Sequence, residues 1–371
     1  MKKSVKEKII DSAIELFSKQ WYETVSVAEI CRNAGLSNGV FYNYFKNKQE
    51  LFEFLLENLL DIFKKEFYNF NGNTTKEKLV SFFEIVFEAA SKYKPLVTIF
   101  REGQYRFPKY EKKLRDIYID ILGKILEKDI NEVDYIYIIG SLRFLAIMSS
   151  YGWVNLDKDV FYNLIFKGIF EGEIEHDIFN KISIEECVEE ELNTKQLLIN
   201  AGIELFGQKG FHKVKIFEIT NHVNLAVGTF YIYFSSKEEF LREIVKQISH
   251  KTRLFISKNI PNNLNRLEKE IIGIYLFLHF FSKNRNYYEI IRESEFVVNN
   301  EVKNYYKAFL DGYLENIENV KYNNNNEMIA MFLMGISHYT GIEYLFENTI
   351  KDKNNFLLSL SNYLKNGINM I

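Results

Sequence analysis

An all-α chain made of two tandem units is the fold class this sequence predicts, and three observations predict it. Only 3 prolines occur in 371 residues, so long helices run without the break that proline imposes. Apolar residues recur at helical spacing from the outset, as Ile10, Ala13, Ile14 and Phe17. Residues 12–52 align with 201–241 without a gap, so the chain repeats itself at about half its length.

The first helix opens on Ser4 and Glu7, a capping box in which hydroxyl and carboxylate exchange hydrogen bonds with each other's backbone amides. The second copy offers Asn193 and Gln196. A second helix opens on Ser26 and Glu29 and ends near Ala34-Gly35, where glycine suits the left-handed closing residue. Its counterpart Asn224 is the next best residue for that conformation. Ser37 is expected to cap a short third helix, giving the helix-turn-helix order. Phe41 and Phe45 share one face and read as core, which turns Asn38, Tyr42 and Asn43 outward. Between Cys31 and Gln49 stand Arg32, Lys46 and Lys48 and no carboxylate. The chain carries a net charge of −3, so this local absence of negative charge is the footprint a DNA-facing surface needs.

These residues resemble the DNA-binding domain of the tetracycline-repressor (TetR-like) family. AIELF at 13–17 and VAEICRNAGLSNGVFYNYFKNKQELF at 27–52 carry the likeness in the first copy. GIELFGQKGF, AVGTFYIYF and SSKEEFL carry it in the second. The resemblance implies two units, each a three-helix DNA-binding domain followed by a helical ligand-binding and dimerisation domain. The expected boundaries are 1–52 and 53–172, an acidic linker at 173–193, then 194–241 and 242–371. The run Asn323 to Asn326 reads as a loop within the last of these. The resemblance also implies that Asn38, Gly39, Val40 and Asn43 approach base edges. It places Tyr42, Tyr44 and Lys48 on phosphates, with Ser26 and Ser37 at the helix starts beside the backbone. Asparagine amides suit adenine edges, while tyrosine hydroxyls and lysine position a duplex without reading it.

The copies part at these positions. Asn38 becomes Val227 and Asn43 becomes Ile232, side chains that meet at most a thymine methyl. Ser26 becomes Lys215 and Ser37 becomes Ala226, which removes two capping hydroxyls. Gly228, Thr229, Tyr231, Tyr233 and Lys237 complete the second candidate surface, with Lys209 and Lys213 near it. Two readings of this head stay open: a distinct or weaker half-site reader, and a module kept for packing.

Family members usually pair through two C-terminal helices per subunit. The segments here are about 134–151 with 159–171 and about 327–346 with 354–366. A linker of about twenty residues reaches roughly 65 Å if extended, enough for the second half to fold back on the first. The expectation is therefore an intramolecular pseudo-dimer with heads roughly 34–36 Å apart on DNA. A homodimer of tandem chains, in which only the first heads read DNA, is the competing assembly.

The resemblance further implies a small-molecule inducer held among the C-terminal helices. Tyr105, Arg143, Tyr151, His338 and Tyr339 are polar candidates on apolar stretches. The aromatics Phe82, Phe83, Phe87 and Phe100, and Tyr275, Phe277, Phe280, Phe281 and Phe296, read as core more than pocket. Arg101-Glu102 and Arg292-Glu293 recur and read as structural. No nucleophile–base pairing, phosphate-cradling glycine loop or HExxH run stands in the sequence, so an enzyme is not expected. Cys31 and Cys187 stand far apart, in no metal-ligand spacing, and no metal or cofactor is expected. The start MKKSVKEKII lacks the apolar core of a signal peptide. Residues 135–154 approach bilayer length, but Arg143 in their middle favours a buried helix. The reading is a cytoplasmic, ligand-responsive transcriptional regulator and repressor. A scaffold protein that binds no DNA is the alternative.

Overall fold

The computed structural model describes residues 3–186, 193–317, 320–321 and 325–368. Among these residues the regular structure is helical, apart from one isolated bridge between Phe170 and Val320. The first repeat supplies α1 (Val5–Phe17), α2 (Val27–Asn33), α3 (Asn38–Phe41), α4 (Lys48–Phe67), α5 (Thr75–Lys92), α6 (Lys94–Arg106) and α7 (Lys109–Leu126). It ends with α8 (Glu132–Ser150), which contains a π-helical turn at Tyr135–Gly140, and α9 (Lys158–Lys167). The second repeat follows the same order as α10 (Thr194–Lys209), α11 (Ile216–His222), α12 (Val227–Tyr233), α13 (Lys237–Asn259), α14 (Arg266–Lys283) and α15 (Arg285–Val297). It closes with α16 (Asn299–Asn316), α17 (Asn326–Leu345) and α18 (Lys353–Asn366).

Local chemistry sets the helix ends. Ser4 and Glu7 form the full capping box of α1. Asn193 caps α10 through the Gln196 amide, but the Gln196 side chain turns to Asn200 and Gln247 instead of closing the box. Gly35 and Asn224 both take the left-handed conformation, at φ 69° and 54°. Asn325 caps α17 by accepting the Met328 N–H at 3.1 Å. Of the asparagine run, Asn323 and Asn324 lie outside the described residues, as does Cys187.

Compactness divides the chain at other places than the repeat does. One unit is Met1–Ile130 with Ala146–Trp153, and the other is Asn131–Leu145 with Val154–Ile371. In the first unit α4 is the spine, burying Leu51, Phe52, Leu55, Leu56, Leu59, Leu60, Phe63 and Phe67. Helix α6 lies close on it, since a Cβ added to Gly103 would stand 2.4 Å from Leu56. Phe82, Phe83, Phe87 and Phe100 are buried here, as core aromatics should be.

The second unit holds its own repeat plus the C-terminal helices of the first. Residues 132–145 of α8, together with α9, pack on α17 and α18. The contacts come in reciprocal pairs. A Cβ on Gly140 would lie 3.1 Å from Tyr339, and one on Gly335 would lie 2.8 Å from Phe144. The Ile169 N–H donates to Leu364 O at 2.6 Å, and the Ile368 N–H donates to Ile165 O at 2.8 Å. Gly168 abuts the Lys365 carbonyl, and Gly367 abuts the Phe166–Gly168 backbone. Contacts that recur with the roles exchanged are what a two-fold axis produces, and here both sides belong to one chain. Tyr363 adds a 2.5 Å hydrogen bond to Asp134.

Glu132–Ser150 is long and apolar enough to cross a bilayer by length and composition, yet most of it is buried inside the protein. Arg143 is buried too, 3.2 Å from the Tyr135 hydroxyl and over the Tyr339 ring. The acidic stretch after α9 is not a free tether through residue 186. Ile178 and Phe179 are buried, and Phe179 stacks on Tyr275. Asn265 holds the Glu173 carbonyl, and Asn259 exchanges two hydrogen bonds with the Glu185 backbone. A 3-10 turn at Ile178–Lys181 carries the two buried side chains.

Candidate nucleic-acid interface

Each head is a small aromatic core with a polar rim. In the first, Phe17, Tyr22 and Phe52 interlock edge-on or stacked, and Phe41 packs on Phe45. In the second, Phe206 meets Phe211 and Phe240, and Phe230 packs on Phe234. Burying Phe41 and Phe45 turns the remaining side chains of α3 and the turn after it outward. Asn38, Gly39, Tyr42, Asn43 and Tyr44 are exposed, and Val40 is half-buried. A Cβ added to Gly39 or to Gly228 would meet nothing within 4 Å. Internal packing therefore does not require glycine at either position, whereas close approach by an outside surface would.

Two lysines recur with one geometry. Lys48 donates to Tyr22 O at 2.7 Å and Val25 O at 2.8 Å, with its ammonium 4.1 Å from the Tyr22 ring centroid. Lys237 donates to Phe211 O at 3.0 Å and Val214 O at 2.9 Å, 4.2 Å from the Phe211 ring. Burial holds both ammonium groups below the ordinary lysine pKa. Each ammonium thus braces its head against two backbone carbonyls and a ring face.

The hydroxyls at the helix starts also differ from each other. Ser26 caps α2, accepting the Glu29 N–H at 3.1 Å, while Glu29 turns to Gln20. Ser37 stands at the start of α3 but makes no side-chain cap, so the capping expected of it is absent and its loss in Ala226 removes no helix cap. Lys215 has no side-chain acceptor to offer α11, and Glu218 instead accepts the Lys215 N–H at 2.8 Å. On the second surface Lys213, Lys215, Val227, Gly228, Tyr231, Ile232 and Tyr233 are exposed, and Thr229 is half-buried.

The glutamates of the recurring Arg-Glu pairs tie each head to the helices behind it. The buried Glu102 carboxylate on α6 accepts the Tyr22 N–H at 3.1 Å and a guanidinium N–H of Arg106 at 3.1 Å. Glu293 on α15 accepts the Phe211 N–H at 2.7 Å. The repetition of these pairs in the sequence was the available signal; their long-range partners were not legible there. Glu102→Ala leaves the buried Tyr22 amide unsatisfied and is expected to cost about 1–3 kcal/mol, read as a lower urea midpoint. Burial pushes the Glu102 carboxyl up to about 7, against the opposing pull of Arg106 and the Tyr22 amide. The folded state thus holds this proton more tightly than the unfolded chain does. Its contribution to stability is full at acid pH and falls as pH rises through about 7. Melting temperatures across that range should fall less steeply in Glu102→Gln, which keeps an acceptor oxygen but does not titrate.

The inducer candidates fall into two groups. Tyr151 faces Thr98 and Arg101 in the first unit, where Tyr105 also lies. Arg143, His338 and Tyr339 gather in the second unit, with Phe144 and Tyr306 against His338. The Tyr288 hydroxyl stands 3.4 Å from His338 Nδ1. A cleft of about 600 Å³, which the sequence did not suggest, opens between α10 and the α14–α15 turn. Lys251, Lys283, Arg285 and Glu204 line it together with Ile203 and Tyr287.

The family model described as bacterial regulatory proteins, tetR family, matches residues 9–55 and again 198–244. The chain thus carries, in tandem, two copies of the segment that this tetR-family model describes. It is 38% identical over 61 residues to the HTH-type transcriptional regulator HbdR of Aromatoleum sp. (strain CIB), covering 16% of this chain and 27% of that one. It is 25% identical over 131 residues to the HTH-type transcriptional repressor KstR2 of Mycobacterium tuberculosis (strain H37Rv), covering 32% of this chain and 66% of that one. The chain thus spans about a quarter of the length of HbdR and just under two thirds of KstR2. Among solved structures, the FadR regulator from Bacillus subtilis in complex with stearoyl-CoA aligns at 20% identity and a TM-score of 0.41. That alignment covers 46% of this chain and 98% of FadR.

Proposed function

We propose that this protein is a sequence-specific, DNA-binding transcriptional regulator in which one chain supplies both reading heads. The observation that carries the first part is the outward face around α3. Asn38, Tyr42, Asn43 and Tyr44 are exposed together, free of carboxylates, on a frame braced by Lys48. Asparagine amides there read base edges, and the tyrosine hydroxyls fix the duplex through its phosphates. The reciprocal contacts of α8 and α9 with α17 and α18 support the second part. They occupy, within one chain, the surfaces that a second subunit would otherwise use. The protein then acts as a cytoplasmic repressor. A small molecule bound among the C-terminal helices favours a head spacing that does not fit the operator, and so shifts the population off DNA.

Selection from random duplexes at a fixed, moderate salt concentration tests this reading. One enriched site, bound with at least about 1000-fold preference over random DNA, is expected of a specific reader. Tyr42→Ala should weaken binding to all duplexes by about 3- to 10-fold and leave the salt slope unchanged, because a neutral phenol releases no counterion. No enrichment would return the protein to the scaffold reading.

A further inference from the structure

The second head keeps the frame of the first but presents different chemistry on it. Lys237 braces it as Lys48 braces the first, and Phe230 and Phe234 are buried as Phe41 and Phe45 are. Val227 and Ile232 therefore stand where Asn38 and Asn43 stand in the first head. Ile232 is 76% exposed and Val227 41%, between tyrosines that are themselves exposed. An isoleucine so far out of the core gains nothing from the fold, and such apolar side chains at the tip of a domain point to a surface that covers them. From Ile219 to Phe234 the sequence has no carboxylate, and Lys213 and Lys215 are exposed just before it. A surface that attracts polyanions and is tipped with branched aliphatic groups fits one apolar feature of the major groove, the thymine C5-methyl.

We propose that the second head reads its half-site through thymine methyl groups, with Ile232 and Val227 as the specificity-determining residues. The first head reads amide-compatible adenine edges. This rests on the DNA-binding reading above and deepens it: the operator is asymmetric in sequence and in the chemistry by which it is read.

The test replaces each thymine of the selected site, one at a time, by deoxyuridine, which removes only the methyl group. Affinity is expected to fall about 3- to 5-fold at each of one or two thymines, all in one half of the site, since each methyl buried is worth about 0.8 kcal/mol. Ile232→Ala should erase the sensitivity at the thymine that Ile232 covers, and Ile232→Ala with Val227→Ala should erase all of it, while deoxyuridine in the other half stays without effect. Ile232 is exposed, so the variant should keep the wild-type circular dichroism spectrum and melting temperature. Methyl-insensitive binding at every thymine overturns the inference while the DNA-binding reading stands. So does Ile232→Asn binding every duplex like the wild type, which would leave the apolar tip to a protein partner. Failure to select any site overturns the DNA-binding reading itself.

Discussion

Gly168→Ala and Gly367→Ala should each destabilise the second compact unit by about 2–5 kcal/mol, the sum of left-handed strain and overpacking. Both glycines sit at positive φ, 73° and 69°. At both, an added Cβ would fall 2.4 Å from backbone atoms of the opposing C-terminal segment. Backbone cannot swing aside as a flexible side chain does, so the reciprocal hydrogen bonds of Ile169 and Ile368 should break together. Gly152→Ala is the control. It shares a positive φ of 74° but would meet nothing within 4 Å, so it should cost only about 1–2 kcal/mol. Urea unfolding of the three variants separates the clash from the strain.

The second large effect concerns the first head. Replacing Asn38 and Asn43 together by alanine should reduce the preference for the selected site by about 30-fold or more, at roughly 1–3 kcal/mol for each bidentate base contact. Both side chains are exposed, so stability should stay within about 0.5 kcal/mol of wild type. Binding to random duplex and its salt slope should not change, because the phosphate contacts are intact. Competition binding against random DNA at two salt concentrations checks both halves of this statement.

Much of this was legible in the sequence, for definite reasons. Helix starts, the positive-φ residues Gly35 and Asn224, and the buried Phe41–Phe45 and Phe230–Phe234 pairs are all local. They follow from caps, from φ preference and from i, i+4 spacing. The repeat declared two units, and the apolar stretches at 134–151 and 327–346 marked the helices that meet in the bundle. Non-local chemistry was not legible. Nothing in the sequence neighbours of Lys48 announces the carbonyls of Tyr22 and Val25 that its ammonium meets. Glu102 reads as half of a local ion pair, and it does pair with Arg106, but its hydrogen bond to the Tyr22 backbone eighty residues away has no sequence signal. The acidic stretch after α9 looked like a tether, because its charge is conspicuous and its two buried residues, Ile178 and Phe179, are few.

The pairing of the two halves within one chain is the claim on which the rest depends. The mass of the complex with the selected duplex, measured by native mass spectrometry, tests it most directly. One chain of 44.1 kDa per duplex is the expected result. Two chains on one duplex, with the strong half-site present twice, would mean that tandem chains pair with each other and would contradict the account.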